Sequence, residues 1–235
     1  MDYYIVMTEK QDIFTIMGGR VKMHPGIYNP TSDAVWLAAF IDGAPKTVLD
    51  VGTGTGAVAL CLMARIPNIK MTALDISSDM LNAARGNFAL NNQTAEFINT
   101  DIMTWRTDKT FDLVMTNPPY FNGTPATHNA HHNVDLPQWT RKCIARVKPG
   151  GMFATIVDAT RAGTVISAIS RHCGDLRILP LFSKKNTAER VLLSGRMGRG
   201  EHTTIYAGID MNNQDILRYG KSVHDIITQN QKTSR

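Results

Sequence analysis

At 235 residues with 43% apolar side chains, the chain can bury one large core, and it carries no apolar run long enough for a membrane span. Its formal net charge is a modest +5. The three cysteines, Cys61, Cys143 and Cys173, are odd in number and far apart, which argues against a disulfide framework or a CxxC metal site and leaves them as buried thiols.

The N-terminal "MDYYIVMTEK" carries acidic residues and lacks the pattern of a secretory signal, so a cytoplasmic location is expected. "IFTIM" and "RVKMH" flank Gly18 and Gly19 and predict a β-hairpin. "YNPTSDAVWLAAFIDG" predicts a helix capped at Thr31 or Ser32 and stopped at Gly43. From residue 47 strands and helices alternate: "TVLDV", "GAVALCLMARI", "KMTALDI", "SSDMLNAARGNFALN", "AEFIN" and "FDLVMT". "LPQWTRKCIARVKPGG" predicts a helix ended by its glycines, "MFATIVD" a strand and "RAGTVISAISRHCG" a further helix. This alternation predicts a doubly wound α/β fold, a mostly parallel seven-stranded sheet. "LRILPLFSK", "RVLLSG" and "TTIYAGIDM" have no helix between them, which makes the far edge antiparallel. "QDILRYGKSVHDIITQ" predicts one last helix and "NQKTSR" a frayed tail. The expected organisation is one domain: hairpin and helix over 1–43, a core over 44–212, and a C-terminal helix and tail over 213–235.

Charge is lopsided along the chain. Leu136 to Gly200 holds 12 Lys and Arg against 3 Asp and Glu, or +9, and the rest comes to −4. Such asymmetry is the electrostatic footprint of a polyanion binder, with a solvated basic face as the plain alternative.

The chemistry gathers at strand ends. "VLDVGTGTGAVAL" puts Asp50 at the end of a strand and Gly52, Gly54 and Gly56 in the turn into a helix, where ligands of such sheets bind. The letters also satisfy a dinucleotide fingerprint. A carboxylate beside the loop would repel a pyrophosphate, however, and suits a ligand carrying an ammonium and a sulfonium, namely S-adenosylmethionine. Asp75, 19 residues after Gly56, suits ribose hydroxyls; Asp101 suits the exocyclic amine of adenine or a plain turn, with Ile76 and Ile102 on the ring faces. At the next strand end stands "TNPPYF". An exocyclic amine or amide nitrogen is a poor nucleophile because its lone pair is delocalised. The side-chain oxygen of Asn117 and the carbonyl of Pro118, held by pre-proline geometry, would accept both its hydrogens and localise that pair. Tyr120 would stack on the planar group, flanked by Pro119 and Phe121 on the substrate side.

"DVGTGTG", "LD", "TD" and "NPPY" in this order resemble the class I S-adenosylmethionine-dependent methyltransferases that modify amino groups, over about residues 30 to 210. The NPPY motif in that group is shared by adenine-N6 enzymes acting on nucleic acid and glutamine-N5 enzymes acting on release factors. "IMGGRVKMHPGIYNPTSDAVWLAAFI" and "AERVLLSGRMGRG" resemble the compact bacterial family that methylates an adenine N6 in the anticodon loop of valine tRNA. The resemblance implies that Asn117, Pro118 and Tyr120 are catalytic and that Asp50, Gly52, Gly54, Gly56, Asp75, Ile76, Asp101, Ile102 and Asn117 hold the cofactor. It also implies that the upstream segment closes over the cofactor with Asp33 as a contact, a position helix capping explains as well. Lys184, Lys185, Arg190, Arg196 and Arg199 would then grip RNA phosphates, the partner being tRNA and the adenine flipped into the NPPY pocket. His128, His131 and His132 lie in a loop expected to set substrate preference, without the cysteine or carboxylate partners of a metal site. A glutamine-N5 protein methyltransferase and an inactive, cofactor-gated RNA-binding module stay open as alternatives.

Overall fold

The computed structural model describes residues 13–26, 29–118, 135–183, 186–200 and 202–233, with side chains described through residue 229. The N-terminal "MDYYIVMTEK", Pro119, Tyr120, Phe121, the histidine-bearing loop, Lys184 and Lys185 lie outside the described residues.

β1 (Phe14–Ile16) and β2 (Val21–Met23) form the expected antiparallel hairpin, Phe14 opposite Met23, around a turn in which Met17, Gly18 and Gly19 take positive φ. α1 (Ser32–Phe40) follows, with Thr31 at the cap position. All nine of its residues are buried, because it packs on α2 (Ala57–Arg65) on one side, on the last helices on another, and across the sheet beneath. The Arg65 guanidinium donates to the Ala38 and Ile41 carbonyls and so closes the C-terminal end of α1.

The central sheet is assembled from β3 (Thr47–Val51), β4 (Lys70–Asp75), β5 (Ala95–Asn99), β6 (Phe111–Thr116), β7 (Val147–Asp158), β8 (Cys173–Phe182) and β9 (Ala188–Met197), in spatial order β8-β9-β7-β6-β3-β4-β5. Six of these seven strands run parallel. β9 alone is antiparallel to both of its neighbours, as a β8–β9 connection without a helix requires. An eighth row lies outside β8, formed by β10 (Thr203–Ile205) and β11 (Ile209–Asp210), both parallel to β8 where the sequence had predicted an antiparallel edge. Pro180 explains the interruption between them. Ile178 accepts from the Tyr206 N–H, the next donor on that outer edge of β8 would be residue 180, and proline has none; pairing resumes at Ile209 opposite Leu181.

α1, α2 and α3 (Ser78–Leu90) cover one face, over a core that includes Trp36, Leu37, Leu60, Leu62 and Phe88. α4 (Leu136–Ile144) and α5 (Ala162–Ser170) cover the other, over Cys143, Ile144, Val165 and Ile169. Burial on both faces is why the strands read as unbroken apolar runs. Two expectations need correction. The glycines Gly150 and Gly151 do not stop α4, which ends at Ile144; they sit in a bulge near the start of β7, where Phe111 pairs with Val147 but Leu113 with Met152. The last helix is split into α6 (Gln214–Leu217) and α7 (Val223–Thr233), which also takes up most of the expected tail. Gly220 at φ +62° ends the first piece. Ser222 and Asp225 open the second, each accepting the other's backbone N–H through its side chain.

Candidate active site

The carboxyl ends of β3, β4, β5 and β6 lie side by side, and each delivers one of the polar groups that the sequence singled out. Asp50, at the end of β3, is 1% exposed; its Oδ2 accepts from the Thr53 hydroxyl at 2.8 Å. Burial pushes its carboxyl up to about 7, against the Thr53 hydrogen bond, with the Asp75 carboxylate adding to the rise. The loop that follows folds tightly: Gly52, Gly54 and Gly56 all take positive φ, and a Cβ on Gly56 would stand 2.9 Å from the Phe88 ring. Gly52 and Thr53 both donate their N–H to the Leu74 carbonyl, at 2.8 and 3.0 Å, fastening the loop to β4.

Asp75, at the end of β4, accepts from the Gly54 N–H at 2.8 Å through one oxygen and from the Ser77 N–H at 2.9 Å through the other. A carboxylate has about four lone-pair sites, so capacity remains for hydroxyl donors. Capping of α3 falls to Ser77, whose Oγ accepts from Met80 N. Ile76 is 46% exposed, an apolar side chain presented at the rim beside Asp75. Asn99, which the sequence reading missed, holds it there by donating to the Asp75 and Ile76 carbonyls at 3.1 and 2.9 Å. Asp101 closes a turn, its Oδ1 accepting from Met103 N at 2.8 Å. Ile102 requires correction: at 2% exposure it belongs to the core under α4 and offers no face to a ligand.

At the end of β6, the Thr116 hydroxyl donates to the Val51 carbonyl at 2.8 Å and accepts from the Trp139 indole N–H at 3.2 Å. Trp139, also unforeseen, lies along the seam between the two strand exits, its ring 3.5 Å from where a Gly52 Cβ would be. Asn117 follows, and its Oδ1 is buried with no hydrogen-bond partner among the described residues. A buried acceptor left unmade costs about 1–3 kcal/mol, so this oxygen is poised for a donor that the described residues do not supply. Pro118 behind it is buried.

The described arginines among the residues assigned to RNA phosphates, Arg190, Arg196 and Arg199, do not share one face. Arg190 lies opposite Asp158 at the active-site edge, but its guanidinium is paired with Asp33 at 3.0 Å and Asp158 at 3.3 Å. Asp33, buried in the first turn of α1, therefore holds Arg190. Arg196 lies opposite Met152, six residues further along β9 and so about 20 Å away, toward the opposite edge of the sheet. There Arg196 and Arg177 share Asp42 and Asp175 in a ring of four ion pairs. Arg199 is exposed beyond that ring, near His202. Three of the arginines that made the segment look basic are thus neutralised on folding, partly by acids from the N-terminal region.

Comparison with known proteins places this geometry. The family described as methyltransferase small domain matches residues 21–176. The tRNA1(Val) (adenine(37)-N6)-methyltransferase of Phocaeicola vulgatus is 29% identical over 169 residues, 68% of this chain and 70% of the relative. That of Vibrio cholerae is 37% identical over 154 residues, 61% and 64% of the two chains. The release factor glutamine methyltransferase of Deinococcus radiodurans is 32% identical over 137 residues, 52% and 49%. Against several further relatives the chain spans about half their length. Among solved structures, a predicted O-methyltransferase from Agrobacterium tumefaciens superposes with a TM-score of 0.66 at 21% identity, covering 81% of this chain and 97% of that one. A 16S rRNA N2 methyltransferase from T. thermophilus, in complex with AdoMet and guanosine, superposes at 0.53 with 19% identity over 75% and 47%. These similarities share the α/β fold described above, and the cofactor that goes with it is S-adenosylmethionine. The chain belongs to the methyltransferase small domain family.

Proposed function

We propose that this methyltransferase acts on the exocyclic N6 amine of an adenine in RNA, with tRNA as the substrate class. The observation that carries the reading is the unpartnered, buried Oδ1 of Asn117 at the end of β6, one residue beyond the pairing of Thr116 with Val51. Bound S-adenosylmethionine supplies a methyl group made electrophilic by its sulfonium. The chain's part is to make the amine a competent nucleophile and to hold it in line. Asn117 Oδ1 accepts one amine hydrogen and the Pro118 carbonyl the other, which draws the lone pair out of the ring and toward the methyl. No strong base is called for, since the methylated amine sheds its proton readily once it is positively charged. Asp50, buried beside the glycine loop, offers its negative charge to the cofactor's cationic end, and Asp75 its remaining lone pairs to ribose hydroxyls. Tyr120 retains the stacking role assigned from the sequence.

The Asn117 site by itself serves an adenine amine and a glutamine amide equally. Two observations favour RNA: the two longer matches quoted above are to tRNA adenine-N6 enzymes, and the chain's net charge is +5. No helix among the described residues is long and apolar enough to cross a membrane, and we place the protein's work in the cytoplasm with tRNA. The test supplies labelled methyl donor with unmodified tRNA and digests the product to nucleosides. Label in 6-methyladenosine is the expected result. Label in a release-factor polypeptide, with none in RNA, would transfer the assignment to the glutamine-N5 reading. An RNA-binding protein that transfers no label to either would establish the inactive module.

A further inference from the structure

The N-terminal hairpin is not part of the central sheet, yet the outer edge of β2 is paired. Its partner is a helix. On α3 and its C-cap, Asn87 and Asn91 are four residues apart, on one face of the helix and about 6 Å apart along its axis. On β2 and just beyond it, Lys22 and His24 are two residues apart and expose backbone groups on one edge about 6.8 Å apart. The two repeats nearly match, and the side chains use the match. Asn91 Oδ1 accepts from Lys22 N at 2.9 Å while its Nδ2 donates to the Lys22 carbonyl at 2.7 Å; Asn87 Oδ1 accepts from His24 N at 2.8 Å.

Asn87 does one thing more. It is 1% exposed, an unusual setting for an asparagine within a helix, and its Nδ2 donates at 2.9 Å to the carbonyl of Thr55, inside the glycine loop. One amide thus has its oxygen on the hairpin and its nitrogen on the loop that precedes α2. The next residue, Phe88, packs against Gly56 of the same loop. A buried amide fixes both partners or leaves one of them unsatisfied, so displacement of the hairpin and deformation of the loop share a cost.

We propose that Asn87 is a positioning residue of the cofactor site, through which docking of the N-terminal hairpin sets the shape of the glycine loop. The inference rests on the assignment of S-adenosylmethionine to that loop. By reciprocity, a cofactor that tightens the loop must tighten the hairpin by the same factor.

The test uses the full chain and S-adenosylhomocysteine. Calorimetry first measures binding to the wild type, and amide hydrogen exchange is then read with and without the ligand. Slowed exchange of the Lys22 and His24 amides, several-fold, is expected on binding. Asn87→Asp keeps the acceptor for His24 but sets a carboxylate against the Thr55 carbonyl, and should weaken binding about tenfold. Asn91→Ala, which does not touch the loop, should loosen the hairpin and weaken binding about threefold. The Asn91 variant separates coupling from local damage. Unchanged affinity in a protein whose hairpin exchanges faster would overturn the proposal, as would hairpin amides in the wild type that ignore bound ligand. Should Asn87→Asp fail to fold, those two measurements decide. Absence of binding by the wild type would instead remove the cofactor assignment, and the coupling with it.

Discussion

If Asp50 faces the cofactor as proposed, its buried carboxyl should make binding and stability respond to pH. Its pKa rises from the ordinary 3.8 to about 7, and the cause is burial first, with Asp75 adding to it. The folded protein therefore keeps a proton over a range in which the unfolded chain has released it. Stability contributed by that proton is fully present below about pH 4, declines as pH rises, and is gone above about 7. At about 1.4 kcal/mol for each pH unit, the span amounts to roughly 4 kcal/mol as a ceiling, and relaxation around the ionised carboxylate makes about 2 kcal/mol a safer expectation. About two-thirds of that span lies above pH 5, and for a chain of this length 1 kcal/mol shifts the melting temperature by about 2–4 °C, so the wild type without ligand should melt roughly 3–5 °C lower at pH 8 than at pH 5. Asp112, held down to about 2 by its Lys148 and Thr47 hydrogen bonds despite some burial, acts in the other direction only below about pH 4, outside this window. Asp50→Asn should flatten the decline, and subtracting its melting profile from that of the wild type isolates the contribution of this carboxyl. The ligand supplies the complementary measurement. A sulfonium cation favours the ionised carboxylate, so S-adenosylmethionine should bind several-fold tighter at pH 7.5 than at pH 6. Calorimetry at pH 6 in two buffers of different ionisation enthalpy should show up to one proton released. Parallel melting profiles for wild type and Asp50→Asn between pH 5 and 8, or equal affinity at pH 6 and 7.5, would refute the reasoning.

Two further perturbations probe neighbouring strand ends. Asn117→Ala removes the accepting oxygen and should lower kcat about 10²- to 10³-fold, with cofactor affinity in calorimetry held within threefold; a kcat within fivefold of wild type would contradict the role given to it. Arg190→Met strands the carboxylate of Asp33, whose side chain is 3% exposed, and should cost about 3 kcal/mol in urea unfolding; adding Asp33→Asn should restore most of it, and a cost below about 1 kcal/mol would show that the pair is not holding α1 to β9.

Local patterning carried most of the fold. The alternation of apolar runs gave the order of strands and helices, and the Gly18–Gly19 turn gave the hairpin. Asp50, Asp75 and Asn117 were legible because a doubly wound sheet brings its strand ends to one edge whatever the details. The missed features depend on partners distant along the chain. Asp33 and Arg190 are 157 residues apart, so a charge sum over Leu136 to Gly200 counted Arg190 as available to phosphate when folding neutralises it. Asn87 and Asn91 stand at visible helical spacing, but only the docked hairpin gives their amides a purpose. Pro180 was readable as a residue that cannot donate; that it faces the last strand, and so divides it, follows only from register.

β3 and β6 are adjacent, with Val51 opposite Thr116, so Asn117 stands one step past the ladder beside Gly52. Each of these two exits carries a group that folding alone disfavours: a carboxyl whose ionisation burial opposes, and an amide oxygen with no donor among the described residues. Stability by itself would remove both, since an apolar or neutral side chain of similar shape would avoid the desolvation cost at each. Under the function proposed above, a ligand pair answers both at once, a cation at Asp50 and an amine at Asn117, meeting across the gap between two neighbouring strands. The Trp139 indole, bonded to Thr116 and lying along Gly52, holds the two exits in fixed relation. On the proposed assignment, the spacing between cofactor and amine follows from the register of β3 on β6, which the sheet fixes.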